Sequence, residues 1–341
     1  MGKSVLALAL LSSCWIGQAL AEETCPTLTI VTGVDMKIGG SGRVFVPAEI
    51  NGTPEYMLVD TGGLMNELTP AAADSLKLTR RQSDLSLIAV TGKTTQTSVN
   101  ASFAMGKLRA GAMDFMVSPA EMDLEHDLPG AGGIIAPNLL MSYDVDFDFA
   151  NKKLNLLSQE HCDGRVVYWR ADVVAAVPFR MRDFHILVPV QLDGHEYQAT
   201  LDTGADATTF NLDRARNDFA LKPGDADTPK AGTLNADADA DVYTHRFQSL
   251  ALEGIAISNP LIHLLPDLVA KKLMHPDNTI ANETIRVGPK KSEIGLPDMI
   301  LGMDILHRLH LYVAYKEKKL YITPATLPAV PAPAPAPAPV H

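Results

Sequence analysis

The sequence predicts an all-β protein made of two similar lobes. Three observations carry this. The nineteen residues 44–62 return at 186–204 without a gap, with six identical positions. Each copy alternates apolar and polar residues around a dipeptide, Asn51-Gly52 in one and Asp193-Gly194 in the other. Such dipeptides are the strongest short signal for a β-hairpin, because both turn positions take positive φ. Both halves also close on the same series: an apolar strand, a short helical turn and a second hairpin. Pro47 and Pro189, Gly52 and Gly194, and Asp60 and Asp202 are each 142 residues apart. That period is far too long for a solenoid and fits a duplicated domain. The 341 residues are about the length of two domains.

Taken in order, residues 1–21 read as a targeting segment. Lys3 is its positive end, residues 5–11 its apolar core, and Ala19-Leu20-Ala21 a small-residue cleavage site before Glu22. Cleavage after Ala21 is expected. The alternative is Leu11-Ser12-Ser13-Cys14, which looks like a bacterial lipobox and would make Cys14 a lipid-anchored N-terminus. Either route exports the protein, to the periplasm or the medium. Cys25 and Cys162 are the only cysteines after Ala21. In an oxidising compartment they are expected to form one disulfide.

The first lobe is expected over 28–158. Its opening hairpin ends at Asp60-Thr61-Gly62, a short helix follows over 70–78, and the closing series occupies 133–140, 143–149 and 153–156. A linker is expected over 159–175, in which His161 reads as incidental beside Cys162. The second lobe is expected over 176–323. Its hairpin ends at Asp202-Thr203-Gly204, a helix follows over 212–221, and the closing series occupies 300–306, 309–315 and 319–322. Residues 324–341 alternate proline mostly with alanine. Proline removes the amide donor and fixes φ, so this reads as a solvated tail reaching roughly 55 Å when extended.

Composition narrows the function. The chain is 46% apolar, enough for a core, and its 29 basic against 40 acidic residues give a net charge of −11. A nucleic-acid surface would need a basic face. Aromatics at 6% do not suggest a base-stacking or sugar-binding platform. No internal apolar run approaches membrane-spanning length. Three cysteines exclude a four-cysteine zinc site, and no His-Glu-x-x-His or Gly-x-Ser-x-Gly pattern is present. Asp237, Asp239 and Asp241 alternate with alanine, but the glycine and glutamate that an EF-hand loop requires are Val242 and Gln248 here. No metal or other cofactor is therefore expected.

The two Asp-Thr-Gly turns carry the chemistry. A polar turn after a buried strand presents a carboxylate, and two such turns on duplicated lobes can meet across a pseudo-twofold axis. Asp60 and Asp202 would then share one proton, since two adjacent carboxylates cannot both ionise. The ionised one can take a proton from water while the protonated one hydrogen-bonds a carbonyl under attack. Thr61 and Thr203 could brace the loops, and Gly62 and Gly204 permit close backbone approach. With Leu201-Asp202-Thr203-Gly204-Ala205-Asp206 and Ile300-Leu301-Gly302-Met303-Asp304, the chain resembles the aspartic proteases, and among them the retropepsin-like domain.

The resemblance covers roughly 35–157 and 178–323. It implies two closed β-barrel lobes with the active-site cleft between them, fused in one chain as in the pepsin arrangement, and therefore acting as a monomer. It implies hydrolysis of peptide bonds in a peptide or protein substrate, with Asp60 and Asp202 catalytic and Asp206 holding substrate backbone. It also implies flap hairpins, near 90–94 in the first lobe and 231–234 in the second. Two features depart from the pattern. Gly63-Leu64 stands where the second copy has Ala205-Asp206, and Ala136 where it has Gly302. A rival reading is a non-catalytic descendant that keeps the cleft only to bind peptides or a partner protein.

Overall fold

The computed structural model describes residues 25–89, 92–117, 124–233, 241–266 and 298–325. The expected targeting segment with Cys14, residues 90–91 of the first expected flap, Leu234 of the second, Asp237, Asp239 and the expected tail from residue 326 lie outside them. Among the described residues the chain is mostly strand, with short helices between. None of these helices is long and apolar enough to cross a membrane.

The first lobe is a closed barrel. Strand Val44–Ile50 turns at Asn51 and Gly52, both at positive φ, into Thr53–Val59. Thr53–Val59 lies parallel to Ala131–Ile135, which pairs with the two-residue strand Glu67–Leu68. Glu67–Leu68 pairs with Leu108–Val117, and that with Gly92–Met105. The ring closes where Ala104 and Phe103 meet Glu49 and Ile50. Val46, Ile50, Met57, Val59, Leu68, Phe103 and Phe115 fill the interior, almost wholly buried. Burial on this scale stabilises by about 1.5–3 kcal/mol per large side chain.

The second lobe repeats the design. His185–Leu192 and His195–Leu201 form its opening hairpin, turning at Asp193 and Gly194, again both at positive φ. Met299–Leu301, Thr209–Asn211, Leu261–Leu265 and Asp241–Arg246 continue the ring. Closure comes from Ser249–Leu252 against Gln191 and Leu192. Where the first lobe has one long strand, the second breaks at Phe247 and Gln248. There, backbone bonds between Phe247 N and Pro260 O and between Asn259 N and Gln248 O carry the ladder across.

The matched prolines have a common setting. Each opening strand takes two successive partners along its outer edge: Lys37–Ile38 then Gly92–Met105 in the first lobe, Arg180–Arg182 then Ser249–Leu252 in the second. Pro47 and Pro189 fall in the gap between the partners, where a residue without an amide proton fits. The predicted helices run over Pro70–Ser75, capped by Thr69, and Leu212–Phe219, capped by Asn211 and ended by Ala220 at positive φ.

The closing hairpins do not stay within their own lobes. Asp144–Asp148 pairs with Leu309–Ala314, Val145 opposite Val313. The result is one six-stranded sheet, three strands from each half, running Ile30–Asp35, Lys153–Leu157, Asp144–Asp148, Leu309–Ala314, Lys319–Pro324, Ala175–Pro178. Pro324, read from sequence as the start of the tail, ends a strand opposite Leu309. Cys25 and Cys162 are joined in a disulfide that ties the N-terminal segment to the linker.

His161 has a role that its sequence context did not suggest. Its Nε2 donates to the fully buried Asp144, and its Nδ1 faces the Cys162 carbonyl. Burial holds the Asp144 carboxyl above its ordinary range, opposed first by His161. The neighbouring Asp146 takes bonds from His310, Tyr168 and Asn155, and Trp169 stacks on His310 at 3.9 Å. The linker is thus pinned to the sheet that joins the lobes.

Candidate active site

Each Asp-Thr-Gly turn follows the strand that runs parallel to its lobe's closing strand. The amide of Asp60 donates to the Ile135 carbonyl, and that of Asp202 to the Leu301 carbonyl. The turns then meet. Thr61 N–H donates to Thr203 Oγ1 and Thr203 N–H to Thr61 Oγ1, at 3.1 and 3.0 Å. The Thr61 hydroxyl donates to the Leu201 carbonyl and the Thr203 hydroxyl to the Val59 carbonyl. Both threonines are fully buried. Every donor of this clasp crosses from one lobe to the other, so neither turn holds its geometry without its mate.

The clasp brings the two carboxylates together. Asp60 Oδ1 accepts from the amides of Gly62 and Gly63 at 2.8 and 2.9 Å. Asp202 Oδ1 accepts from those of Gly204 and Ala205 at 2.8 and 3.0 Å. A Cβ added to Gly62 would run into the Asp202 carboxyl, and one on Gly204 into the Asp60 carboxyl. These are the places where the absence of a side chain permits the close approach. Both aspartates remain partly exposed.

The pair is electrostatically unequal. Burial and the charge of Asp60 push the Asp202 carboxyl well above its ordinary range. Burial also raises Asp60, but the Gly62 and Gly63 amides, a hydrogen bond from Asp202 and the nearby His185 hold it back. Both carboxyls are thus held above their ordinary range, as two adjacent acids that share one proton would be. His185 was not singled out from sequence. It opens the second lobe's first strand, and its Nε2 donates to the Gly62 carbonyl across the lobe boundary at 2.8 Å. Its counterpart 142 residues earlier, Arg43, is instead tied to Asp127 at 2.9 Å.

Polar latches support both loops from behind, and they explain the Ala136 departure. In the second lobe Thr208 takes bonds to Asp304 Oδ1 and accepts from the Gly302 amide. A Cβ at Gly302 would strike the Ala207 backbone. In the first lobe Asn66, also buried, stands at the Thr208 position. Its Oδ1 accepts from the Ala136 amide, and its own amide donates to Asn138. The asparagine reaches one atom further than threonine, which accompanies the extra methyl of Ala136.

Asp206 lies exposed beyond its turn, and its backbone carbonyl accepts from the Asp304 amide. Leu64 holds the corresponding place in the first lobe. The first predicted flap falls at the tip of the hairpin Arg81–Ala89 and Gly92–Met105, with Ala89 opposite Gly92. The second falls at Lys230–Thr233, paired with Asp241–Arg246. Asp241, weighed as a calcium ligand, pairs with Lys230 at 2.7 Å. Among the described residues no cluster of His, Cys, Asp and Glu is placed to hold a metal ion.

Glu67 also escaped sequence reading. It is half-buried, and burial together with the charge of Asp60 raises its carboxyl to about 7. The available signal was the duplication, which sets Glu67 opposite Thr209.

A family model described as aspartyl protease matches residues 46–135 and 188–305, one Asp-Thr-Gly turn in each segment. No curated protein matches the chain. The matched segments span more than half of the sequence, one in each barrel, and the chain belongs to the aspartyl protease family as a duplicated, retropepsin-like member.

Proposed function

We propose that the protein is an exported aspartic endopeptidase in which a single chain completes the site. The observation that carries this reading is the pair of clasped carboxylates, each cradled by two amides and pressed against the other lobe's glycine. Two carboxylates sharing one proton are the well-known arrangement of aspartic proteases. Asp60, the anion, takes the proton of a water held between the pair, and the water oxygen attacks the peptide carbonyl carbon. Protonated Asp202 donates to the carbonyl oxygen as charge develops there. The proton gained by Asp60 then passes to the leaving nitrogen as the C–N bond breaks. Thr61, Gly62, Thr203 and Gly204 act only by fixing the carboxylates. Asp206 holds the backbone of the bound peptide on one side.

Export is supported by the Cys25–Cys162 disulfide, which suits an oxidising compartment. Processing after Ala21 is proposed, with lipidation at Cys14 as the alternative. The test is digestion of an unbiased peptide mixture across a range of pH by the wild type and by Asp60→Asn and Asp202→Asn. Cleavage by the wild type alone is expected. Peptide binding without cleavage by the wild type would instead identify a binding descendant of the fold.

A further inference from the structure

We infer that Glu67 makes the first-lobe wall of the cleft a receptor for a basic side chain, so that the protein selects lysine or arginine at one peptide position beside the scissile bond. This deepens the endopeptidase reading and rests on it for the word scissile.

The placement follows from strand register. Leu58 pairs with Ile134, and Ile134 with Glu67, so the three share one face of the barrel. Asp60 lies two residues beyond Leu58 along the chain and therefore falls on that same face. Leu68, adjacent to Glu67, points the other way into the barrel core and is fully buried. Glu67 thus stands on the wall that rises from Asp60, close enough to feel its charge.

Among the described residues no hydrogen-bond donor or cation pairs with its carboxylate. Its carboxylate is not among the sealed polar atoms of the fold, so it is open to an incoming group. Neither cross-strand neighbour, Ile134 or Met116, offers a cation or a donor side chain. Among the described residues the charge that acts on it is Asp60, which in turn faces Asp202 and His185. Two of these are acids, so the wall favours an incoming cation. A lysine or arginine head that enters beside Asp60 can meet this carboxylate in a charge-assisted hydrogen bond. Across the pseudo-twofold axis Thr209 pairs with Ile300 and carries no charge. The selectivity is therefore confined to one side of the bond.

Binding can be read apart from cleavage. The full-length protein carrying Asp202→Asn is titrated with fluorescent octapeptides that place lysine or norleucine at each position in turn. At pH 8 one position should favour lysine by about tenfold, the scale of one charge-assisted hydrogen bond. Adding Glu67→Gln should bring that ratio close to one. In the protein that keeps Glu67, the ratio should also fall between pH 8 and pH 5, as a carboxyl titrating at about 7 takes up its proton. This second arm stands if the Gln variant does not fold. No lysine preference, a preference that survives Glu67→Gln or does not change with pH, or no peptide binding would each overturn the inference. Cleavage by the unsubstituted protein, followed in parallel, judges the endopeptidase reading. Lysine selection without cleavage would sink that reading alone, and cleavage without lysine selection would sink this one alone.

Discussion

Replacing Glu67 by glutamine should stabilise the protein in mild base and leave it unchanged in acid. The Glu67 carboxyl titrates at about 7 in the folded chain against an ordinary 4.5. Burial is the main cause and the charge of Asp60 the second. A folded pKa above the unfolded one means that the folded state holds the proton more tightly. Folding stability therefore falls as pH rises from 4.5 to 7, and the whole penalty is present above 7. At about 1.4 kcal/mol per pH unit that gap is worth about 3 kcal/mol. Glutamine keeps the shape and cannot ionise. Glu67→Gln should therefore gain up to about 3 kcal/mol at pH 8 and almost nothing at pH 4, where both states of the wild type are neutral. The gain should shrink when Asp60→Asn is added, because the charge that opposes Glu67 is then gone. Urea unfolding with the disulfide intact, at both pH values, measures the difference. An equal effect at pH 4 and pH 8, or a loss at pH 8, would refute the reasoning.

Asp60→Asn and Asp202→Asn should each abolish peptide hydrolysis, and the double variant should be no worse than either, since the pair acts as a unit; full activity in Asp60→Asn would mean that the site pairs Asp202 from two chains. Hydrolysis should fade as pH rises until the pair loses its shared proton and as it falls until both carboxyls are protonated, giving an acidic to weakly acidic optimum in a pH–rate profile; a rate still climbing near about pH 9 would contradict it. Thr203→Val should orphan the Thr61 amide and the Val59 carbonyl at about 1–3 kcal/mol each and lower the rate, read by calorimetry and peptide assay together. The mature protein should titrate no free thiol when denatured without reductant, and reducing Cys25–Cys162, which are 137 residues apart, should cost about 5 kcal/mol on the chain-entropy account.

The sequence by itself determined the two lobes, their opening hairpins, the aspartate pair and the cysteine pair. Local rules govern these features. Asn51-Gly52 and Asp193-Gly194 take positive φ at little cost, alternation assigns each strand its buried face, and the copies appear in matched order. The resemblance to aspartic proteases rested on a few contiguous residues around each Asp-Thr-Gly turn.

Only the tertiary structure decided how the halves combine. Nothing local in 144–148 or 309–314 shows that these strands pair with each other rather than each with its own lobe, because an edge strand's partner is set by assembly and not by its own pattern. The same holds for His161, which sits beside a cysteine in sequence but is committed to Asp144 in space, and for His185, which reaches Gly62 from 123 residues away. Glu67 is the plainest case. As a letter it is one more acid in an acidic chain. Its register against Ile134 and the face it shares with Asp60 exist only once the barrel has closed. Charge at a site is a property of distance and burial, and those are fixed by the fold.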